Sequence, residues 1–410
     1  MMSEKNVWEM YEEQEMKEVF ALAEDYKRFI SENKTERACV KSAVAMAEAR
    51  GYRDLREVIR RQETLKPQDK VYLTMMEKSI VLFHLGDRPL EEGMHILGAH
   101  IDSPRLDLKQ NPVYENTELA YLDTHYYGGI KKYQWVTLPL ALHGVIVKKD
   151  GTSVDVCIGE KEDDPVFVIS DLLIHLSNDQ MQKKAASVIE GEDLNVTFGS
   201  MPLKEEEKDK VKANVLKLLK ERYDVEESDL VSAEIEVVPA GKARDLGIDR
   251  SMVIGYGQDD RVCAYTSLVA LLEMENVEKT AVCLLVDKEE VGSQGATGMQ
   301  SCFFENALAE VMDRMGIYSE LKVRRALQHS KMLSSDVSAA YDPNYAGVME
   351  TNNCAYFGKG LVFNKYTGAR GKSGCNDANA EYMAELRAVM EKGNVAYQTS
   401  ELGKVDQGGG

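Results

Sequence analysis

The sequence predicts an α/β chain whose helix-and-sheet pattern is interrupted by a strand-rich insertion. Three observations carry this. Ala281 to Val286 (AVCLLV) is an uninterrupted apolar run of strand length, the pattern of a strand buried on both faces of a parallel sheet. Helical periodicity flanks it, over residues 259–275 and 306–325. Between about residues 103 and 245 the pattern changes to short alternating apolar segments punctuated by turns. At 410 residues the chain exceeds one ordinary core, so two domains are expected.

The first hundred residues read as helical. Val40, Ala43, Val44 and Ala47 recur at helical spacing, and Gly51 stands where a glycine ends such a helix. His95 to Ile101 (HILGAHI) then reads as a short buried strand. In the insertion, the apolar Leu138 to Val147 and the alternating Val154, Val156 and Ile158 flank Lys149-Asp150-Gly151, a hairpin signature. Residues 165–169 and 233–238 read as further strands. A charged amphipathic helix is expected over 204–223, with Val211, Val215, Leu218 and Leu219 on one face and Glu205-Glu206-Glu207 solvated. After the insertion, Met252 to Tyr256 is apolar, and 378–392 reads as a late helix behind Asn376-Asp377.

Composition excludes several classes. The net charge of −19 repels phosphate backbones and anionic lipid, so neither nucleic acid nor membrane is an expected partner. There is no run of 18 apolar residues and no apolar signal core in the first 27. Seven scattered cysteines without a CxxC argue against a disulfide framework or thiolate zinc site, and point to a reducing, cytoplasmic setting.

Four polar clusters each lie beside or just after a strand-like segment, where ligands bind in open α/β sheets. In His100-Ile101-Asp102, alternate residues face one way, so carboxylate and imidazole can touch; either Asp102 orients the ring or the contact is incidental. Asp259-Asp260 precedes a helix; one carboxylate could bridge two cations, or the two acids could simply cap that helix. Asp287-Lys288-Glu289-Glu290 leaves the most apolar strand, where acids need a compensating cation. Ser334-Ser335-Asp336 offers a further acid, or a turn residue. Oxygen and imidazole donors without thiolates suit zinc, manganese or cobalt. Such a site would hold a water between two metals as hydroxide, with a free carboxylate as base.

Taken in order, GAHIDSPRLDLK (Gly98 to Lys109), GYGQDDRVCAY (Gly255 to Tyr265), DKEEVGSQGATG (Asp287 to Gly298) and SSDVSAAYDPNY (Ser334 to Tyr345) resemble the aspartyl aminopeptidase family, its bacterial members above all. The resemblance implies a three-layer α/β/α metallopeptidase domain, residues 1–102 and 246–410, interrupted by a β-rich dimerisation domain, residues 103–245. It implies a metal-dependent aminopeptidase acting on the N-terminal bond of short peptides. Two divalent ions are implied, zinc first, with cobalt or manganese as alternatives. His100 would bind one metal and Asp102 would orient it; Asp259 would bridge; Glu290 and Asp336 would each complete one site; Glu289 would be the general base. It further implies a dodecamer built from dimers, in which an inserted-domain histidine reaches a neighbour's active site. His175 matches that position, and otherwise reads as a core histidine.

Two departures accompany the match. The family's last metal-binding histidine follows a glycine-rich stretch, whereas this sequence stops at Gln407-Gly408-Gly409-Gly410 with no histidine after His329, so one metal site is expected to lack a ligand. A preference for acidic N-terminal residues would need a pocket cation; Lys365, Arg370 and Lys372 are candidates, or an ordinary solvated basic loop. Two other readings stay open: a catalytically impaired assembly or binding protein on the same scaffold, and a dinuclear hydrolase of other amides.

Overall fold

Side-chain alternation shows how the main sheet is covered. In the strand Ala281–Val286 every residue is buried. Cys283 and Leu285 belong to one apolar core, while Val282, Leu284 and Val286 belong to another. The strand Ser79–His84 divides the same way, Ile80 and Leu82 against Val81 and Phe83. Period-two alternation into two separate cores means that both faces of one sheet are covered. The helices Glu36–Glu48 and Gln258–Leu272 close one face through Val40, Ala43, Ala47, Ala264 and Leu268. The helices Phe303–Arg314 and Glu320–His329 close the other through Leu308, Val311 and Val323. The result is a three-layer α/β/α arrangement. Each fully buried Leu, Ile or Val adds about 1.5–3 kcal/mol.

The computed structural model describes residues 5–368 and 370–406; the glycine-rich end, Gln407 to Gly410, lies outside them. The main sheet has the order Arg53–Asp54, Lys70–Met75, Ser79–His84, Ala281–Val286, His95–His100, Lys331–Ser334. Ala281–Val286 is parallel to His95–His100 but antiparallel to Ser79–His84, so the sheet is mixed rather than purely parallel. Lys331–Ser334 also runs parallel to His95–His100. Three adjacent strands therefore end, carboxyl side first, at the same edge.

A second, antiparallel sheet has the order Ser153–Ile158, Leu140–Val147, Ala233–Pro239, Arg105–Asn116, Leu119–Tyr127, Val196–Gly199. It has a core of its own, including Leu106, Leu122, Leu142, Val156, Val196, Val211 and Val237. The predicted hairpin is present, with Gly151 at φ +86° in the turn.

Several expectations need correction. The first hundred residues are not all helical: Lys70–Met75 and Ser79–His84 form an antiparallel pair. Residues 165–169 make only isolated bridges, Leu140 to Phe167 and Val168 to Thr197. The charged helix is Lys210–Tyr223; it buries Val211 and Val215 but leaves Leu218 exposed. The helix expected over 306–325 is two helices, separated at Gly316 with φ +71°.

By internal contacts the chain divides into two compact units, Asp25–Asp336 and the pair Met1–Glu24 with Val337–Gly410. Both sheets above belong to the first. Within the second, Trp8 stacks on Phe20, the strands Leu361–Asn364 and Tyr397–Ser400 pair in parallel, and the helix Ala380–Lys392 is capped by Asn379. Among the described residues no helix is long and apolar enough to cross a membrane.

Candidate metal centre

The shared edge of the three parallel strands gathers the polar clusters. His100 is the last residue of its strand, Asp287 to Glu290 follow Ala281–Val286, and Asp336 follows Lys331–Ser334, whose exit is held by the Ser335 N–H donating to Gly98 O at 2.7 Å. Asp259 and Asp260 come from the start of the helix Gln258–Leu272, where their backbone is not yet helical. Three bonds pin that start to the strand: the His100 N–H donates to Asp260 Oδ2 at 3.4 Å, Arg261 Nε donates to Ile101 O at 3.1 Å, and Ser103 Oγ donates to Asp259 O at 2.7 Å.

His100 is the hub. Its Nε2 lies 3.2 Å from Asp259 Oδ1, 3.8 Å from Glu289 Oε2 and 3.9 Å from Asp336 Oδ1. Its Nδ1 faces Asp102, 3.2 Å from Oδ1 and 3.0 Å from the backbone oxygen. Asp102 is fully buried and also accepts the backbone N–H groups of Glu289 and Glu290, at 3.2 and 3.1 Å. Two sets of donor atoms, each within 4.8 Å of one another, result: His100, Asp259 and Glu290, and His100, Asp260 and Asp336.

The electrostatics are those of an acid cluster short of cations. Burial pushes Asp260 up to about 8, with Asp336 adding to the rise. Burial, then the charge of Asp259, pushes Glu290 up to about 7. Burial disfavours charge on His100, but its bonds to Asp102 and Asp259 outweigh this and push it up to about 11. Asp260 Oδ1 is buried without a well-formed hydrogen bond, the Cys263 thiol being a weak donor to this carboxylate. Crowding and burial thus disfavour negative charge on these carboxylates unless a positive charge is added. A divalent cation meets that need, and one imidazole with carboxylates suits zinc, manganese or cobalt, so the donor set fits a metal centre.

Sequence reasoning brought together His100, Asp102, Asp259, Glu289, Glu290 and Asp336, and these are together. It did not treat Asp260 as a donor; the adjacent pair was the available signal. His175 is in neither donor set and stands exposed on the 3₁₀ turn Ile174–Leu176. Lys365, Arg370 and Lys372 are exposed in the other compact unit, where Lys372 pairs with Asp377 at 3.1 Å.

A model of the family described as aminopeptidase I zinc metalloprotease (M18) matches residues 29–410. The chain belongs to the M18 peptidase family. As such it is a metallo-aminopeptidase, a hydrolase. A probable M18 family aminopeptidase 1 of Clostridium acetobutylicum is 65% identical over 407 residues, 99% of this chain and 88% of that protein. The crystal structure of an M18 aminopeptidase from Thermotoga maritima superposes with a TM-score of 0.94 at 43% identity, covering 100% of this chain and 89% of that one. Aminopeptidase I of C. acetobutylicum gives a TM-score of 0.92 at 62% identity, with 100% and 89% covered. The dodecamer of S. cerevisiae mApe1, at 19% identity and a TM-score of 0.72 over 93% of this chain and 85% of that one, shares the fold alone.

Proposed function

We propose that this M18 aminopeptidase removes the N-terminal residue of short peptides at a site that binds two divalent ions, zinc in the first place. The observation that carries this is the pair of overlapping donor sets at one sheet edge, in which the single free nitrogen of His100 serves one ion and four carboxylates supply the remaining donors. Asp259 and Glu290 would hold one ion, and Asp260 with Asp336 the other. When bound, the ions polarise the scissile carbonyl and make water nucleophilic near neutral pH. Asp102 keeps His100 in the tautomer that presents Nε2. Glu289, half-exposed beside His100, takes the proton from water and returns it to the leaving amine.

Chelation should abolish hydrolysis of aminoacyl chromogenic substrates, and zinc, cobalt or manganese should restore it. Glu289→Ala should abolish turnover while metal content persists. Turnover that survives exhaustive chelation would sink the reading. A panel of free and blocked N-termini, acidic residues included, separates aminopeptidase action from hydrolysis of other amides and reads out acidic preference.

We infer also that residues 103–245 form a dimerisation insert within a catalytic domain of residues 1–102 and 246–410, and that the protein is a cytoplasmic homo-oligomer, a dodecamer built from dimers. The segment around His175 supports this: Leu172, Leu173, Ile174 and Leu176 are all more than half exposed in the single chain. Its role would be to carry His175 to a neighbour's site. The seven cysteines, all free, suit a reducing compartment. Sedimentation analysis that finds only monomers would exclude the assembly.

A further inference from the structure

Asp102 has room for four donors, and four are present. Three come from the main-sheet side: His100 Nδ1 and the N–H groups of Glu289 and Glu290. The fourth comes from the other sheet. Tyr127, buried at the end of the strand Leu119–Tyr127, donates its hydroxyl to Asp102 Oδ2 at 2.8 Å.

The ring of Tyr127 is held as firmly as its hydroxyl. Arg105, its partner across the strand pair, lays its guanidinium 3.7 Å from the ring centroid. That guanidinium is fixed in turn by Glu36 at 2.6 Å and Asp107 at 2.8 Å. Lys288 Nζ lies 5.2 Å from the same ring. Immediately after Tyr127 the backbone passes beside the candidate metal donor Glu290: a Cβ on Gly128, at φ +76°, would sit 3.4 Å from the Glu290 side chain. Burial, and then the Asp102 charge, hold the Tyr127 phenol above its ordinary range, so it remains an O–H donor at any working pH.

We propose that Tyr127 is a positioning residue of the metal centre, which fixes Asp102 and through it both His100 and the Glu289–Glu290 turn, and so makes metal affinity depend on the second sheet. This rests on the reading of His100 as a metal ligand. A phenylalanine would fill the same space over Arg105 and lose only the hydrogen bond. Asp102 would then keep a buried oxygen short of one donor.

The test uses the full chain with Tyr127→Phe. Zinc and cobalt affinity are measured by competition with a chromophoric chelator, the cobalt-loaded protein by its visible absorption, and kcat and KM separately. We expect metal affinity about 10-fold or more weaker, as for loss of a partner to a ligating histidine. The cobalt bands should shift, and kcat should fall with little change in KM. In an Asp102→Asn background the same substitution should add almost nothing, since both act through one carboxylate. p-Aminophenylalanine at position 127 keeps an N–H at the ring tip and should recover most of the lost affinity, which also covers the case that Y127F folds poorly. Unchanged affinity and cobalt spectrum in Y127F would overturn the inference alone. So would a full additional loss in the Asp102→Asn background, or no recovery with p-aminophenylalanine. A wild-type chain that binds no zinc would overturn the site reading and this inference together.

Discussion

Two buried clusters of charge in the same compact unit meet opposite fates. At one, Lys34 is nearly fully buried and spends its three protons on Glu160 Oε1 at 2.6 Å, Pro239 O at 2.8 Å and Gly241 O at 2.8 Å. Glu160 Oε1 also meets His143 Nε2 at 2.8 Å, and its Oε2 accepts the Gly241 N–H at 3.3 Å. Burial raises Glu160, but His143 and Lys34 outweigh it and hold the carboxyl below its usual range. At the other cluster, around His100, carboxylates outnumber cations, and Asp260 and Glu290 are held up at about 8 and about 7, burial being the main cause. The first cluster is satisfied by the chain itself; the second leaves its charge for something from outside. A buried acid therefore marks a ligand site only when its surroundings fail to provide its counterion.

Substitution separates the two most sharply. Glu160→Ala should lower unfolding free energy by about 3–5 kcal/mol in urea titration, because Lys34 and His143 lose their partner in the interior. A loss below about 1 kcal/mol would mean that the Lys34 cluster is not the self-contained pair described. The matching change at the other cluster, Glu290→Gln, removes one of several repelling acids. The metal-free protein should keep its stability or gain slightly, while zinc affinity falls by about 100-fold or more, since a direct donor matters at least as much as an outer partner. Isothermal titration with chelator competition reads this. A metal-free Glu290→Gln protein that unfolds more readily than wild type would break the comparison.

The smallest effect is in pH. Asp260 and Glu290 have folded values raised above the unfolded carboxylate range, so their contribution to metal-free stability is present at low pH and is lost as pH rises through about 7 to 8. Glu160 is depressed, so its contribution is present above the unfolded glutamate value of about 4.3 and is lost as pH falls below it. The metal-free protein should thus melt some degrees lower at pH about 8.5 than at pH about 6, and saturating zinc should flatten that slope. A zinc-independent slope would place its origin elsewhere.

Much of this was legible in the sequence, for local reasons. AVCLLV has the length and unbroken apolarity of a strand covered on both faces, which puts the acids that leave it at the sheet edge. The two-residue spacing of His100 and Asp102 foretold their contact. What was hidden depended on distance along the chain. Lys70–Met75 and Ser79–His84 mix Lys, Thr and Ser with apolar residues; they pair with each other, and Ser79–His84 also pairs with Ala281–Val286, some two hundred residues later. Tyr127 sits in a different sheet, and nothing near it in sequence signals that its hydroxyl ends on Asp102. Asp260 was in view, but only its burial separates a donor from a helix cap.

The central place of Ala281–Val286, between Ser79–His84 and His95–His100, has a consequence during synthesis. The sheet edge that gathers the acids cannot close until a strand from far along the chain slots between two that left the ribosome long before. At about 5–20 residues per second, that interval is on the order of ten seconds or more. The early strands must wait with their apolar faces open, the state in which a nascent chain most needs a chaperone. His100 meanwhile has none of its distant carboxylate partners, so metal capture has to be a late event that follows closure of the sheet.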